Sequence, residues 1–470
     1  MELPEAFLRM LAEAVGGSRA DTVSRALCGQ PSVSVRLNPF KTPWNCTEPF
    51  QELFPGSASV PWSHYGRILP ERPSFTLDPL FHCGAYYVQE SSAMFAGHLF
   101  RQQLHAFKDL GRPLRVLDLC AAPGGKTTDL ACSLRTVFGD GFMLVANEVV
   151  SSRASELRDN VILWGDPCVV VTSSDPSAFA SLDGFFDIIL ADVPCSGEGM
   201  FRKDAGALRM WSEDNVALCS ARQRRILSAV WPAMAPGGIL IYSTCTFNDS
   251  EDRDNVRWAS AGLGAEIIPP SSYWSEKSSD GGPYAADDGI YLLPGLVPGE
   301  GQYCAALRKA SGREMSGRGE NIPASGRRAS KPVSLKAARL PEGLFDAQMP
   351  ATENAAGDIT AWPLSVYEAL PYLSHLKILR AGVPVGKWLK GRLVPDGDLV
   401  YSLAYTRGFF PEWPVNNDLA LSYLRRQSVP PSGMPHGFVS LTYAGLALGL
   451  VNNIGTRTNN LLAKSRRIRI

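Results

Sequence analysis

Leu114-Arg115-Val116-Leu117-Asp118-Leu119-Cys120-Ala121-Ala122-Pro123-Gly124-Gly125-Lys126-Thr127-Thr128 is the stretch from which the fold of this 470-residue chain can be read. A run of strand character, Arg115–Leu119, enters a loop of small side chains with one proline and two glycines, and the loop opens onto a helix start. Strand, small-residue loop and helix in that order begin a β-α-β unit. Small side chains let backbone N–H groups approach a ligand carboxylate or phosphate, and a helix N-terminus favours negative charge. The loop is neither GxGxxG nor GxxxxGK[ST], so the dinucleotide and P-loop readings lose ground.

Outward from this loop, apolar runs alternate with helical patterns as far as about Leu307. Strands are predicted at Phe142–Asn147, Val169–Thr172, Phe186–Ala191 and Gly238–Ser243, and near Ala265–Ile268 and Tyr303–Leu307. Helices are predicted at Val150–Trp164 and Trp211–Ala235. The alternation predicts an α/β, Rossmann-like core with a doubly wound, mostly parallel sheet. Ligands of such sheets bind beyond the carboxyl ends of the strands. Two further strand ends carry thiols there: Asp192-Val193-Pro194-Cys195-Ser196-Gly197-Glu198-Gly199 and Tyr242-Ser243-Thr244-Cys245-Thr246. Both are expected to reach the pocket of the small-residue loop, which points to nucleophilic catalysis beside a bound cofactor.

The second strand ends in Asn147-Glu148, and an acid there commonly takes ribose hydroxyls; Asp175 follows the third strand. Either acid alone reads equally as a solvated or capping residue. Together with the loop, they fit S-adenosylmethionine: its amino-acid end at the loop, ribose on Glu148, adenine edge near Asp175. Cys120 in the loop is there because it is small, and Lys126 sits where it can touch cofactor or RNA.

Lys plus Arg (46) equals Asp plus Glu (46), so any basic surface is local. Ten cysteines without a CxxC pair imply neither a disulfide framework nor a metal site, and fit a reducing cytosol. Cys28, Cys46, Cys132, Cys168 and Cys304 read as packing residues. The acidic start, Met1-Glu2-Leu3-Pro4-Glu5, is not that of a signal peptide, and no apolar run approaches the ~20 residues a bilayer requires. The expectation is a soluble cytoplasmic monomer that neither binds metal nor enters a membrane.

Four segments are expected. Residues 1–100 form an N-terminal α+β unit with an amphipathic helix at Pro4–Val15 and a short basic-edged strand at Val33–Asn38; 101–308 form the α/β core. Residues 309–357, rich in Ser, Gly, Arg and Lys over Lys309–Pro341, form a basic flexible linker. Residues 358–470 form a β-rich tail, in which Leu379–Gly386 and Thr442–Gly449 predict hairpins of a small barrel.

Three ordered motifs, Ala121-Ala122-Pro123-Gly124-Gly125-Lys126-Thr127, Asp192–Lys203 and Ser243-Thr244-Cys245-Thr246-Phe247, resemble those of the Nop/Sun family of RNA cytosine-5 methyltransferases. The likeness extends to Arg36-Leu37-Asn38, to Tyr86–Met94 and into the tail, and is greatest to RsmF-type bacterial 16S ribosomal RNA methyltransferases, which carry a PUA-like C-terminal domain. The resemblance implies transfer of a methyl group from S-adenosylmethionine to cytosine C5 in ribosomal RNA or a small ribosomal subunit. It makes Cys245 the nucleophile at C6, Cys195 the helper in product release and Asp192 the acid at N3; spacing alone leaves the two cysteines interchangeable. It places the cofactor on Cys120, Ala121, Ala122, Pro123, Gly124, Gly125, Lys126, Glu148, Asp175 and Asp192. RNA phosphate contacts are expected at Arg36, Lys126, Arg202 and Lys203, though as isolated charges these read as solvated surface. A helix begun at Asp249-Ser250-Glu251 would bring its N-terminus to the Cys245 thiol, opposed by its own acids. The same chemistry on transfer RNA, or a non-catalytic RNA-binding assembly factor, are the alternatives.

Overall fold

The computed structural model describes residues 2–42, 48–274, 282–310 and 336–469. Two helices, α1 (Glu5–Val15) and α2 (Gly17–Leu27), open the chain. The first buries Phe7 and Leu11 at helical spacing, as its amphipathic pattern requires. An antiparallel sheet follows, with strands β1 (Val33–Leu37), β2 (Ala58–Val60), β3 (Ser63–Leu69) and β4 (Tyr86–Val88) in the order β2-β3-β1-β4. Helix α3 (Phe95–Gln103) leads into the core.

The core is the α/β unit that the alternation predicts. In chain order it runs β5 (Leu114–Asp118), α4 (Gly125–Phe138), β6 (Phe142–Asn147), α5 (Ser151–Trp164), β7 (Val169–Thr172), β8 (Phe186–Asp192), α6 (Glu213–Val230), β9 (Met234–Thr244), α7 (Arg253–Leu263), β10 (Ala265–Ile267), β11 (Tyr284–Ala285), β12 (Ile290–Leu292) and β13 (Gln302–Lys309). Its sheet order is β11-β12-β13-β9-β8-β5-β6-β7, with β5 to β9 parallel, β13 antiparallel to β9, and β10 on β13. Strands β6 and β7 are buried at every residue, as sheets covered on both faces are. The order reverses between β5 and β8, so the ligand crevice opens beyond the carboxyl ends of those strands. The loop after β5, the Pro-Cys turn after β8 and the Thr-Cys turn after β9 lie on three adjacent strands.

Residues 311–335 of the expected linker lie outside the described residues. Beyond them, the C-terminal part departs from the sequence expectation in three places. Within the remainder of the linker, β14 (Lys336–Ala337) and β15 (Ala351–Glu353) pair with each other in a sheet. Next, β16 (Ile359–Ala361) joins β15, whereas helix α8 (Leu364–Leu373) and strand β17 (Ile378–Arg380) return to the core: Val366 and Leu373 enter the central apolar cluster, and β17 adds an antiparallel edge to β7. The Leu379–Gly386 phrase is therefore not a hairpin. It is the crossing from β17 in the central sheet to β18 (Val383–Leu389), which pairs with β16 and β19 (Arg392–Pro395). Gly382 turns this corner at φ +65, where a Cβ would stand 2.6 Å from the Ala361 carbonyl oxygen.

The Thr442–Gly449 phrase is a hairpin, between β21 (Gly437–Tyr443) and β22 (Leu446–Asn453). With β20 (Glu412–Pro414), helix α9 (Asn417–Leu424) and β23 (Thr458–Asn460) it builds the final sheet. A second apolar cluster joins Val35, Leu37 and Tyr86 of the N-terminal sheet to Tyr423, Val439 and Leu448. The two ends of the chain thus share a core. No helix among the described residues is long and apolar enough to cross a membrane.

Candidate active site

Beyond β5, Ala121 N–H bonds the Asn147 carbonyl (2.8 Å) and Gly124 adopts φ +116, closed to most L side chains. Tyr87 and Gln89 of the N-terminal sheet pack over Gly125, while Asn160 and Arg153 of α5 donate to the Pro123 and Ala122 carbonyls, both at 2.8 Å. The loop is thus fixed from two sides. Asn147, to which the sequence reading assigned no role, accepts from Thr172 and Ser174 and donates to the Leu119 carbonyl, tying the ends of β5, β6 and β7 together.

Three carboxylates bear on this crevice. Asp118 is buried, takes the Thr127 hydroxyl at 2.6 Å and leaves Oδ1 without a partner; burial pushes its pKa up to about 7. Glu148 accepts from Val150 N–H at 2.9 Å and faces Arg153 at 3.4 Å. Asp192 is the third, and the fields of all three reach the Cys120 thiol, whose pKa is raised first by burial and then by these acids. An orphaned buried carboxylate oxygen and this acidic surround fit a ligand that carries an ammonium and a sulfonium, so the residues present suit S-adenosylmethionine. Asp175 lies farther out: it is exposed and caps the short helix Pro176–Ser181 through Ser177, whose hydrogen bonds hold its pKa down.

Asp192, at the end of β8, gathers three donors: Lys126 Nζ at 2.8 Å, Ser243 Oγ at 2.6 Å and Gln302 Nε2 at 3.0 Å. Burial pulls the Lys126 ammonium down, but the Asp192 carboxylate outweighs it and the pKa is raised. One turn farther on, the sulfurs of Cys195 and Cys245 lie 3.2 Å apart, both half-buried. The hydrogen bond between them, and then burial, raise the Cys195 pKa and keep that thiol protonated.

Buried acids that the sequence reading left without a role hold the two cysteine turns. Glu198 accepts from Phe247 N–H (2.6 Å), Asn248 (2.9 Å) and Trp211 (3.0 Å); Glu251 accepts from Ser196 N–H (3.0 Å), Asn248 (3.0 Å) and Gln223 (2.7 Å). Asp252 takes the hydroxyls of Thr244 and Thr246, on either side of Cys245. Burial raises all three pKa values, that of Glu198 to about 7. Helix α7 begins only at Arg253, so Asp249–Asp252 form the turn before it rather than its first turn. Buried acids next to Asn and Thr were the available signal, but sequence does not distinguish them from surface charge.

Two of the residues expected at RNA are turned into the protein. Arg36 is buried at 1% exposure, bonding Gln89 (2.7 Å), Thr128 (2.6 Å) and the Gly125 carbonyl (3.2 Å); it pins the N-terminal sheet to α4. Arg202 is likewise turned inward, to Glu300 and the carbonyls of Ala26, Gln30 and Gly299. Arg202 spends its guanidinium on the protein, and Arg36, although its Nη1 has no partner, is enclosed at 1% exposure. Lys203 is partly exposed, 3.5 Å from Glu300.

Three family descriptions match the chain in order: the N-terminal domain of 16S rRNA methyltransferase RsmF over residues 3–91, 16S rRNA methyltransferase RsmB/F over 110–266, and the methyltransferase RsmF PUA domain over 410–468. Among individual proteins, the chain is 29% identical to the ribosomal RNA small subunit methyltransferase F of Klebsiella pneumoniae, over 97% of this chain and 95% of that relative. It is 35% identical to the ribosomal RNA small subunit methyltransferase F of Cronobacter sakazakii, over 66% of this chain and 64% of that relative. A methyltransferase homologue from Pyrococcus horikoshii superposes with a TM-score of 0.50 at 26% identity, covering 65% of this chain and all of that one. NSun6 from the same organism, solved with SFG, shares the fold at TM-score 0.52 and 17% identity over 65% of this chain and 98% of its own.

Proposed function

Given that the chain belongs to the RsmB/F family of 16S ribosomal RNA methyltransferases and is of the RsmF type, we propose that it methylates C5 of a cytosine in small-subunit ribosomal RNA through a covalent Cys245–C6 bond. Methyl transfer from S-adenosylmethionine to ribosomal RNA is the family's activity; the base, the atom and the nucleophile are the finer reading. The observation that carries it is the thiol pair at 3.2 Å, beside an Asp192–Lys126 pair at the switch point of the sheet.

Cytosine C5 is a weak nucleophile. Addition of a thiolate to C6 converts the ring to an enamine and moves electron density to C5. The family resemblance assigns the attack to Cys245, whose sulfur lies 3.2 Å from that of Cys195. As C6 accepts the sulfur, N3 must accept a proton. The resemblance gives Asp192 the proton for N3; its carboxylate already accepts from Lys126, Ser243 and Gln302, so the Lys126 ammonium in contact with it supplies that proton and the carboxylate accepts from the exocyclic amine. When bound beyond β5 and β6, on residues 120–126 and Glu148, S-adenosylmethionine supplies an electrophilic methyl group. Loss of the C5 proton to a base then breaks the C6–S bond, and N3 returns its proton to Lys126, which restores the neutral aromatic ring. The Cys195 thiol, in contact with the departing sulfur, offers it a proton.

The test is methyl transfer from labelled cofactor to purified 16S RNA, small subunits and transfer RNA, with base analysis of the product. The reading expects 5-methylcytosine in small-subunit RNA and none from Cys245→Ala. Label in transfer RNA alone, or at another base, overturns it.

A further inference from the structure

We propose that the seam where the N-terminal unit, the edge of the central sheet and the C-terminal unit meet is a phosphate-binding site made by Arg380, Arg466 and Lys41. Arg380 ends β17, opposite Val171 of β7. It is 9% exposed, yet among the described residues its side chain has neither an ion pair nor a hydrogen bond, and its Nε and Nη1 are buried without a partner. Arg466, 8% exposed, pairs one nitrogen with Asp398 and leaves Nε and Nη1 equally unpartnered over the ring of Tyr401. Lys41 Nζ sits on the carbonyls of Leu163 (2.6 Å) and Cys83 (3.3 Å), within the field of both arginines. Buried donors of this kind are rare unless a water or an ion completes them.

The unpartnered donors name the chemistry of the ligand: Arg380 and Arg466 each leave Nε and Nη1 free, Asp166 is already taken by Arg135, and burial pulls Lys41 down to about 7, so the two guanidiniums carry the positive charge of the site. A phosphodiester carries one negative charge and two non-bridging oxygens that match guanidinium forks. Beside the seam lies a cleft of about 290 Å³, which Arg466 lines with Phe81, His82, Asn160, Tyr401 and Ser465. Aromatic faces with nearby donors suit a nucleotide unit. Glu156 and Asp159 on the same rim repel a dianion more than a monoanion, which favours an RNA backbone over free phosphate. Asn160 also holds the Pro123 carbonyl of the cofactor loop, so a nucleotide in the cleft abuts that loop.

The full chain is melted with sodium phosphate against chloride at equal ionic strength, with a short single-stranded ribo-oligonucleotide, and with the same oligonucleotide bearing uncharged methylphosphonate linkages. Arg380→Met should melt above wild type without ligand, because it removes an unpartnered buried charge. It should bind the charged oligonucleotide about tenfold more weakly. A wild-type rise with the charged oligonucleotide only assigns the site to RNA backbone; a rise with inorganic phosphate assigns it to the free ion; either must be lost in Arg380→Met. Equal responses of wild type and variant, or no wild-type rise in any arm, overturn the site. Arg466→Met repeats the test if Arg380→Met does not fold. Methyl transfer is not read, so the outcome is independent of the cytosine assignment.

Discussion

The Sγ atoms of Cys195 and Cys245 are in hydrogen-bond contact at 3.2 Å, although 50 residues separate them in the chain. At this distance either thiol can donate to the other sulfur, so one can attack while the other hands it a proton. Cys195→Ala should complete attack but stall release, accumulating a protein–RNA adduct that survives denaturing electrophoresis. Cys245→Ala and the double variant should show none. An adduct on Cys245→Ala instead would exchange the two roles.

The ion pair between Lys126 and Asp192 should act as one unit. Asp192→Asn and Lys126→Met are each expected to lower kcat by ~10²–10⁴, the range of a lost general acid or base. The double variant should lose little more than either single one, because breaking one partner already disables the other. Single-turnover methyl transfer at saturating RNA measures this; additive losses would separate the two residues.

Glu198 predicts a pH signature in stability. Burial raises its pKa from 4.5 to about 7, so the native state holds this proton more tightly than the unfolded chain does. Its contribution is most favourable below the unfolded value and is lost as pH rises through about 7, with a ceiling of about 3 kcal/mol. Asp118, raised from 3.8 to about 7, acts in the same direction. Urea melts should show stability falling between pH 5 and 7.5, and Glu198→Gln should flatten that slope. An unchanged slope in Glu198→Gln would remove the carboxyl from the account.

Arg36 and Lys203 should separate structure from RNA contact. Arg36→Met strands Gln89, Thr128 and Asp129 in the interior and is expected to cost ~3–5 kcal/mol, as broken buried pairs do. Lys203→Met should leave the melting temperature within a degree or two of wild type; if Lys203 meets a phosphate, it should also reduce the salt dependence of RNA binding. Thermal melts paired with binding at two salt concentrations check both.

Gly199 is where the two cysteine turns touch. A Cβ there would lie 2.9 Å from the Glu300 carbonyl oxygen and 3.1 Å from that of Cys245, backbone on both sides. Gly199→Ala should destabilise by ~1–3 kcal/mol, the range of overpacking, and should slow methyl transfer by shifting the Cys245 turn. Circular dichroism melts and initial rates test this together.

The chain's own order of residues determined the core. Strands rich in Val, Ile and Leu alternating with helical patterns leave little choice but a parallel sheet, and the loop 120–126 and both thiols follow strand ends, so local signals placed them at one edge. Burial was decided elsewhere. Arg36 and Arg202 look like free cations in sequence, and only the packing of the N-terminal unit against α4 and the 299–300 turn encloses them. Glu198 and Glu251 look like surface acids until β8 and β9 bring their turns together. The return of α8 and β17 to the central sheet was equally invisible, because an edge strand of three residues carries no periodicity, and its partner β7 lies about two hundred residues earlier. Local pattern sets which element forms. Contacts between distant elements set which charges lose their water, and with that which of them can act.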